Sequence, residues 1–187
     1  MILSDRDLRK AIKAGRLVIA PPPLRDFSAS AIDLRVGRKL WKWREEPESV
    51  TTSINCTTIN IQKLEQYAEP ITPDANGFVS LEADDFVLAP TLETIHLPVE
   101  GRLAARVEGR STLARLGLGV HITAPIIHSG FQGRIVLEFM NHGRYTLKLE
   151  AGVTRVCQIV VEHVSSKPTG NLNKGSFFGQ TGPFGKK

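Results

Sequence analysis

Hydrophobic positions recur at helical spacing at the start of the chain, where Leu8 and Ile12 share one face of SDRDLRKAIKAG. Ser4 is placed to cap that helix, with Asp7 in a capping-box-like position. Asp5 and Asp7 near its start, and Lys10 and Lys13 near its end, match the helix dipole, and Gly15 is a stop signal. Beyond it the period shortens to two. LVIAPPP reads as a short strand ended by prolines, AIDLRVG alternates up to Gly37, and KLWKW sets Leu40 against Trp41 and Trp43. GFVSLEADDFVLAPTLETIHLP reads as a strand, a turn and a longer strand that stops at Pro98. GRLAARVEG, GRIVLEFMNHG and TLKLEAGVTRVCQIVVEHV complete the set. Short strands between turn signals predict a mainly β fold, a sandwich or a barrel. STLARL, at 111–116, is the predicted interior helical turn. From Ser165 onward Gly, Asn, Lys and Ser dominate, which predicts a single domain over 1–164 and a mobile arm over 165–187.

Composition narrows the class. A chain of 187 residues suits one domain with a core large enough to fold alone. No apolar run approaches the ~20 residues that cross a bilayer. MILSDRDLRK lacks the apolar segment of a secretory signal, so a cytoplasmic location and no membrane partner are expected. Cys56 and Cys157 are isolated, which argues against a disulfide framework and a cysteine-rich metal site. The net charge of +5 suits an anionic ligand, though it equally fits a merely basic protein. Single-stranded nucleic acid would need a basic stripe interleaved with stacking aromatics. Trp41 and Trp43 are the candidates for that, and they suit a core or an interface better, so no nucleic acid is expected.

Two stretches can carry chemistry. Arg110, Ser111, Thr112 and Arg115 put two guanidiniums and two hydroxyls on one short turn. A helical turn starting near Ser111 would aim free N–H groups outward, and arginine adds bidentate bonds to phosphate. A serine cap flanked by surface arginines is an equally ordinary reading. In GRIVLEFMN, alternation puts Glu138 on one face with Arg134, Val136 and Met140, and Ile135, Leu137 and Phe139 on the other. A carboxylate lining a pocket can shuttle protons, whereas on an open sheet it is only a solvated side chain. The H-x-E and P-C-x-x-C signature of zinc deaminases is missing, as is a G-x-S-x-G elbow, so no protein-held zinc or other metal is expected.

These pieces occur in a familiar order. MILSDRDL, SAIDLRVG, FVLAPTLETIHLP, EGRSTLARLGL, HITA, GFQGRIVLEF and the terminal GQTGPFG together make the chain resemble the dCTP deaminases of the dUTPase-like superfamily over nearly its whole length. The resemblance implies a distorted β-barrel or jelly-roll-like fold with short helices, assembled as a homotrimer with active sites between subunits. It implies hydrolytic deamination of dCTP to dUTP and ammonia, feeding dUMP and dTTP synthesis, with Mg2+ carried by the substrate triphosphate and dTTP as a possible inhibitor. Alternatives on the same scaffold are a dUTPase, a bifunctional enzyme that releases pyrophosphate, and a catalytically silent nucleotide-binding regulator.

Carried over by position, Glu138 is the implied proton shuttle, Ser111 and the Ala124 carbonyl hold the attacking water, and Arg115 stabilises developing charge beside it. The same resemblance implies that Arg110, Ser111 and Thr112 contact the triphosphate from a neighbouring subunit. It implies that Val136, Leu137 and Glu138 line the base and sugar pocket, that Phe131 lies near the deoxyribose, and that Gln180 closes over the nucleotide. His128 stands where the family usually has Asp, in the stretch that contacts the sugar; in the related triphosphatases that aspartate is the water-activating base, so His128 weighs against pyrophosphate release. Ser176 and Phe177 stand where the family often has Lys-Tyr, and Lys174 is the implied replacement for the lost charge.

Overall fold

The computed structural model describes residues 1–23, 27–46, 53–170 and 177–185. Helix α1 (Asp5–Lys13) forms as its pattern predicts. The Ser4 hydroxyl accepts from the Asp7 N–H at 3.3 Å and donates to the Asp7 carboxylate at 3.1 Å, while Leu8 and Ala11 are buried. Gly15 follows the last turn with φ 68°, the left-handed conformation that ends helices.

The strands are β1 (Val18–Ala20), β2 (Ile32–Arg35), β3 (Leu40–Trp43), β4 (Ala68–Ile71), β5 (Phe78–Leu81), β6 (Phe86–His96) and β7 (Leu103–Gly109). The single helical turn α2 (Ser111–Ala114) separates these from β8 (Leu118–Gly119), β9 (Ile126–Ile127), β10 (Gln132–Asn141), β11 (Leu147–Glu150) and β12 (Arg155–His163). They pair antiparallel into three sheets. One runs β4-β3-β6-β10-β8 with β1 also on β6, the second runs β2-β12-β7-β9, and the third is the β11-β5 pair. The fold is therefore mainly β with few short helices. The expected barrel does not close: among the described residues the strands form separate sheets packed on one core, in which Leu34, Phe139 and Ile159 are fully buried.

The longest pairing, β6 with β10, carries an irregularity that shapes the site. Pairing runs Arg134 to Thr94, then jumps to Val136 with Pro90. Proline has no N–H for the ladder. Thr91, fully buried beside it, fills the gap: its hydroxyl accepts from the Ile135 N–H at 3.1 Å and donates to the Glu93 carbonyl at 2.8 Å.

Glu93 is 2% exposed and spends both carboxylate oxygens on Arg35, one on its backbone N–H at 2.9 Å and one on its guanidinium at 2.7 Å. Removing one partner of a buried pair strands the other. The Arg35 side chain is part-exposed and can turn to water, which reduces the effect. Glu93→Ala is predicted to lower stability by about 2–3 kcal/mol, read as a fall in the urea midpoint with an unchanged slope. A midpoint equal to wild type would show that the pair contributes nothing.

Cys157 is buried in this region, and its thiol is pushed far above the usual range by desolvation first, then by the charges of Glu93 and Asp33. Both cysteines are free, Cys56 exposed and Cys157 buried. No described helix is long and apolar enough to cross a membrane.

A second small cluster lies apart from the main core, where Leu64 and Ala68 meet Phe184 of the terminal segment. The Phe184 ring packs edge-on against Trp41 and Trp43, with centroids 6.5 and 6.1 Å away. The tryptophans thus anchor the chain's own C-terminal segment. Residues 177–185 of the expected mobile arm include Phe184 against these tryptophans and Gln180 bridged to Gly133.

Candidate active site

Strand β10 alternates as its sequence predicts: Ile135, Leu137 and Phe139 are buried, while Arg134, Val136, Glu138 and Met140 are half-buried on the other face. Across the ladder Glu138 faces Leu88 and Met140 faces Phe86, so the acid stands on apolar ground. That face forms one wall of a cavity of about 680 Å3, within the range of small-molecule sites. Phe86 and Leu88 supply the floor beside Glu138, Ile126 and Ile127 of β9 a second wall, and Phe177 and Phe178 a cover. Glu138, His128, Ser129 and Gln180 are its polar side chains. The Ile122 N–H makes a long contact, 3.4 Å, with the Glu138 carboxylate.

The terminal segment sits here because β10 leaves an edge open. Strand β8 covers only Met140 and Asn141, so the stretch 132–134 keeps free backbone groups. Gln180 takes them: the Arg134 N–H donates to the Gln180 carbonyl at 3.0 Å, and the Gln180 amide donates to the Arg134 carbonyl at 2.8 Å. Gly133 permits the approach. Its φ is 145°, and a Cβ there would lie 2.9 Å from the Gln180 carbonyl oxygen.

The basic turn is elsewhere. Ser111, Thr112 and Arg115 are exposed and do not line this cavity, nor does Arg110. Arg110 is held beneath the turn, 3.5 Å from the Asp33 carboxylate and donating to the Arg155 carbonyl at 3.2 Å. The helix is four residues long, too short to gather a useful dipole, so any anion affinity rests on the arginines and hydroxyls. The turn leads directly into β8, which pairs with the end of β10 beyond Glu138.

Within one chain, then, the fold gathers Ala124, His128, Phe131, Val136, Glu138, Phe177 and Gln180 around one cavity. It leaves Arg110, Ser111, Thr112 and Arg115 outside. The Leu137 side chain is 1% exposed in the main core and does not line the cavity, since the pleat turns it to the opposite face from Glu138. Lys174 and Ser176 lie outside the described residues. Sequence reading did not find Phe86, Leu88, Phe178 or Ser129; the first two are visible only once the β6–β10 register is known. Among the described residues no three His, Cys, Asp or Glu side chains gather where they could hold a metal ion.

Comparison with known proteins puts this geometry in context. The description of the dCTP deaminase-like family matches residues 2–164. A Methanosphaera stadtmanae protein named "dCTP deaminase, dUMP-forming" is 37% identical over 97% of this chain and 91% of its own length. A Corynebacterium glutamicum protein of the same name is 40% identical over 98% of this chain and 94% of its own. The crystal structure of 2'-deoxycytidine 5'-triphosphate deaminase from Agrobacterium tumefaciens superposes with a TM-score of 0.65 at 21% identity, covering 87% of this chain and 48% of that one, a likeness of fold.

Proposed function

The chain belongs to the dCTP deaminase-like family, and on that premise we propose that it removes the 4-amino group of dCTP with water and hydrolyses the resulting dUTP to dUMP. The observation that carries the first step is the Glu138 carboxylate in a largely apolar cavity of nucleoside size, which the terminal segment lines with Phe177, Phe178 and Gln180.

Deamination adds water across C4 of cytosine. Glu138 takes a proton from the water as its oxygen bonds to C4, and passes that proton to N3. A tetrahedral centre results. Glu138 then moves the second proton to the amino nitrogen, the C4–N bond breaks, and ammonia leaves as the added oxygen becomes the C4 carbonyl of uracil. One carboxylate suffices because each proton it accepts is returned. The Ala124 carbonyl and Ser111 would hold the water, and Arg115 would steady the charge that develops beside it. Val136 would face the base and Phe131 the deoxyribose. Apolar walls and the cover formed by Phe177 and Gln180 exclude bulk water, which strengthens each of these contacts.

Ser111 and Arg115 can serve only if they come from another copy, since in their own chain they are exposed and away from the cavity. This supports a homotrimer with shared sites, in which Arg110, Ser111 and Thr112 of one subunit grip the triphosphate bound by its neighbour. Mg2+ would arrive with that triphosphate as part of the substrate.

The product is where the two lines of reading part. His128 in place of aspartate argued for stopping at dUTP, whereas the relatives' names specify dUMP. The names come from whole-chain relatives, and His128 is exposed at the cavity rim, where a neutral imidazole can also accept a proton from water. We therefore favour dUMP. Incubation with dCTP and Mg2+ is expected to release ammonia and pyrophosphate in equal amounts. Ammonia with accumulating dUTP and no pyrophosphate would move the protein to the second reading, a deaminase alone. No ammonia from dCTP would sink both.

A further inference from the structure

Ser129 occupies the tight turn before β10. The Phe131 N–H donates to the His128 carbonyl at 3.1 Å, and Gly130 sits at φ 90°, which makes His128 to Phe131 a type II turn. Leu97 clamps it from below, its carbonyl accepting from the Gly130 N–H at 2.6 Å and its N–H donating to the Phe131 carbonyl at 2.9 Å. Ser129 is thus rigidly held, and it is 4% exposed. Yet its hydroxyl has no hydrogen-bond partner in the chain. The same is true of the side-chain oxygen of Gln180, 6% exposed, whose amide nitrogen is committed to Arg134. Both residues line the Glu138 cavity. Buried polar atoms are almost always paired, so two orphans at one end of one cavity point to a ligand that brings the missing partners.

The position of that end says which part of the ligand it meets. Gln180 pairs at Gly133 and the turn lies just before β10, so this end is roughly 16 Å along the strand from Glu138, less the reach of the side chains. With the C4 amino group held at Glu138, the sugar extends toward the turn. A deoxyribose attached to a 5′-triphosphate carries one free hydroxyl, at the 3′ position. Gln180 belongs to the cover already described; Ser129 has no assigned role. We propose that the Ser129 hydroxyl is a substrate-reading group that hydrogen-bonds the 3′-hydroxyl of the bound deoxynucleotide. This rests on the proposed function for the orientation of the nucleotide.

The test deletes one hydroxyl from each side. Binding of dCTP and of 2′,3′-dideoxy-CTP, each with Mg2+, is measured by calorimetry for the wild-type chain and for Ser129→Ala. Wild type is expected to bind dCTP about tenfold more tightly than the dideoxy nucleotide, and the variant to bind both at the weaker level. The variant should melt no lower than wild type, because it loses an unpaired buried hydroxyl. Four results overturn the assignment: preference for dCTP that survives in the variant, equal weakening of both nucleotides, no binding of either by wild type, or a lowered melting temperature that marks a structural serine. Ammonia release from the same samples reports separately on the reaction. A wild-type chain that binds with a Ser129-dependent preference but releases no ammonia fails as a deaminase and keeps the sugar-reading role.

Discussion

Glu138→Gln is expected to lower ammonia release from dCTP by about 10³-fold or more while leaving nucleotide affinity within a few-fold of wild type. Glutamine matches glutamate in shape and can still accept from the Ile122 N–H, so the cavity and the loop above it keep their form. What is lost is the ability to take a proton from water and return it. The side chain is half-buried and faces Leu88 across the ladder, where glutamine packs as glutamate does. The variant should therefore melt close to the wild-type temperature. This combination, lost turnover with kept affinity and kept stability, separates a proton shuttle from a carboxylate that merely positions substrate, whose loss would appear first in the dissociation constant. A rate within tenfold of wild type would remove Glu138 from the chemistry.

The elements around Glu138 were legible in the sequence for a simple reason. A strand with one buried face must alternate, and Ile135, Leu137 and Phe139 do so without interruption. The same alternation puts the Leu137 side chain in the main core, between the half-buried Val136 and Glu138. Other features were not legible because they depend on long-range pairing. Whether β strands close into a barrel depends on stagger between neighbours, and here Pro90 and Thr91 shift the β6–β10 register in a way no local pattern announces. That register is also what puts Phe86 and Leu88 beside the acid. The terminal segment reads as a mobile arm because glycine, asparagine, lysine and serine dominate it, and that composition does not say where it docks. Its three phenylalanines, Phe177, Phe178 and Phe184, were the countersignal: two cover the cavity, and the third packs against Trp41 and Trp43. Ser129 carried no sequence signal at all, since only burial shows that its hydroxyl lacks a partner.

Two dead variants should make a live enzyme. Glu138→Gln keeps the basic turn and loses the acid; Arg115→Ala keeps the acid and loses the guanidinium beside the proposed water. Each homo-oligomer is expected to be inactive. In this chain the turn is exposed and does not line the Glu138 cavity, so the proposed site takes the acid of one subunit and the turn of the next. In a ring of three such subunits, either mixed composition contains one junction where an intact acid meets an intact turn. Particles that carry both variants, co-expressed with different tags and purified through each in turn, should then recover about one third of wild-type turnover. Light scattering should give them three times the 20.6 kDa mass of the chain. Cyclic symmetry makes the fraction informative. A dimer has two equivalent junctions, one of them intact in the mixed form, and would recover about half. A site built within one subunit would recover nothing, because no chain in the mixture holds both groups. Such a null result would require the exposed turn to swing across its own β8 to reach Glu138, a rearrangement that the pairing of Leu118 and Gly119 with the end of β10 opposes.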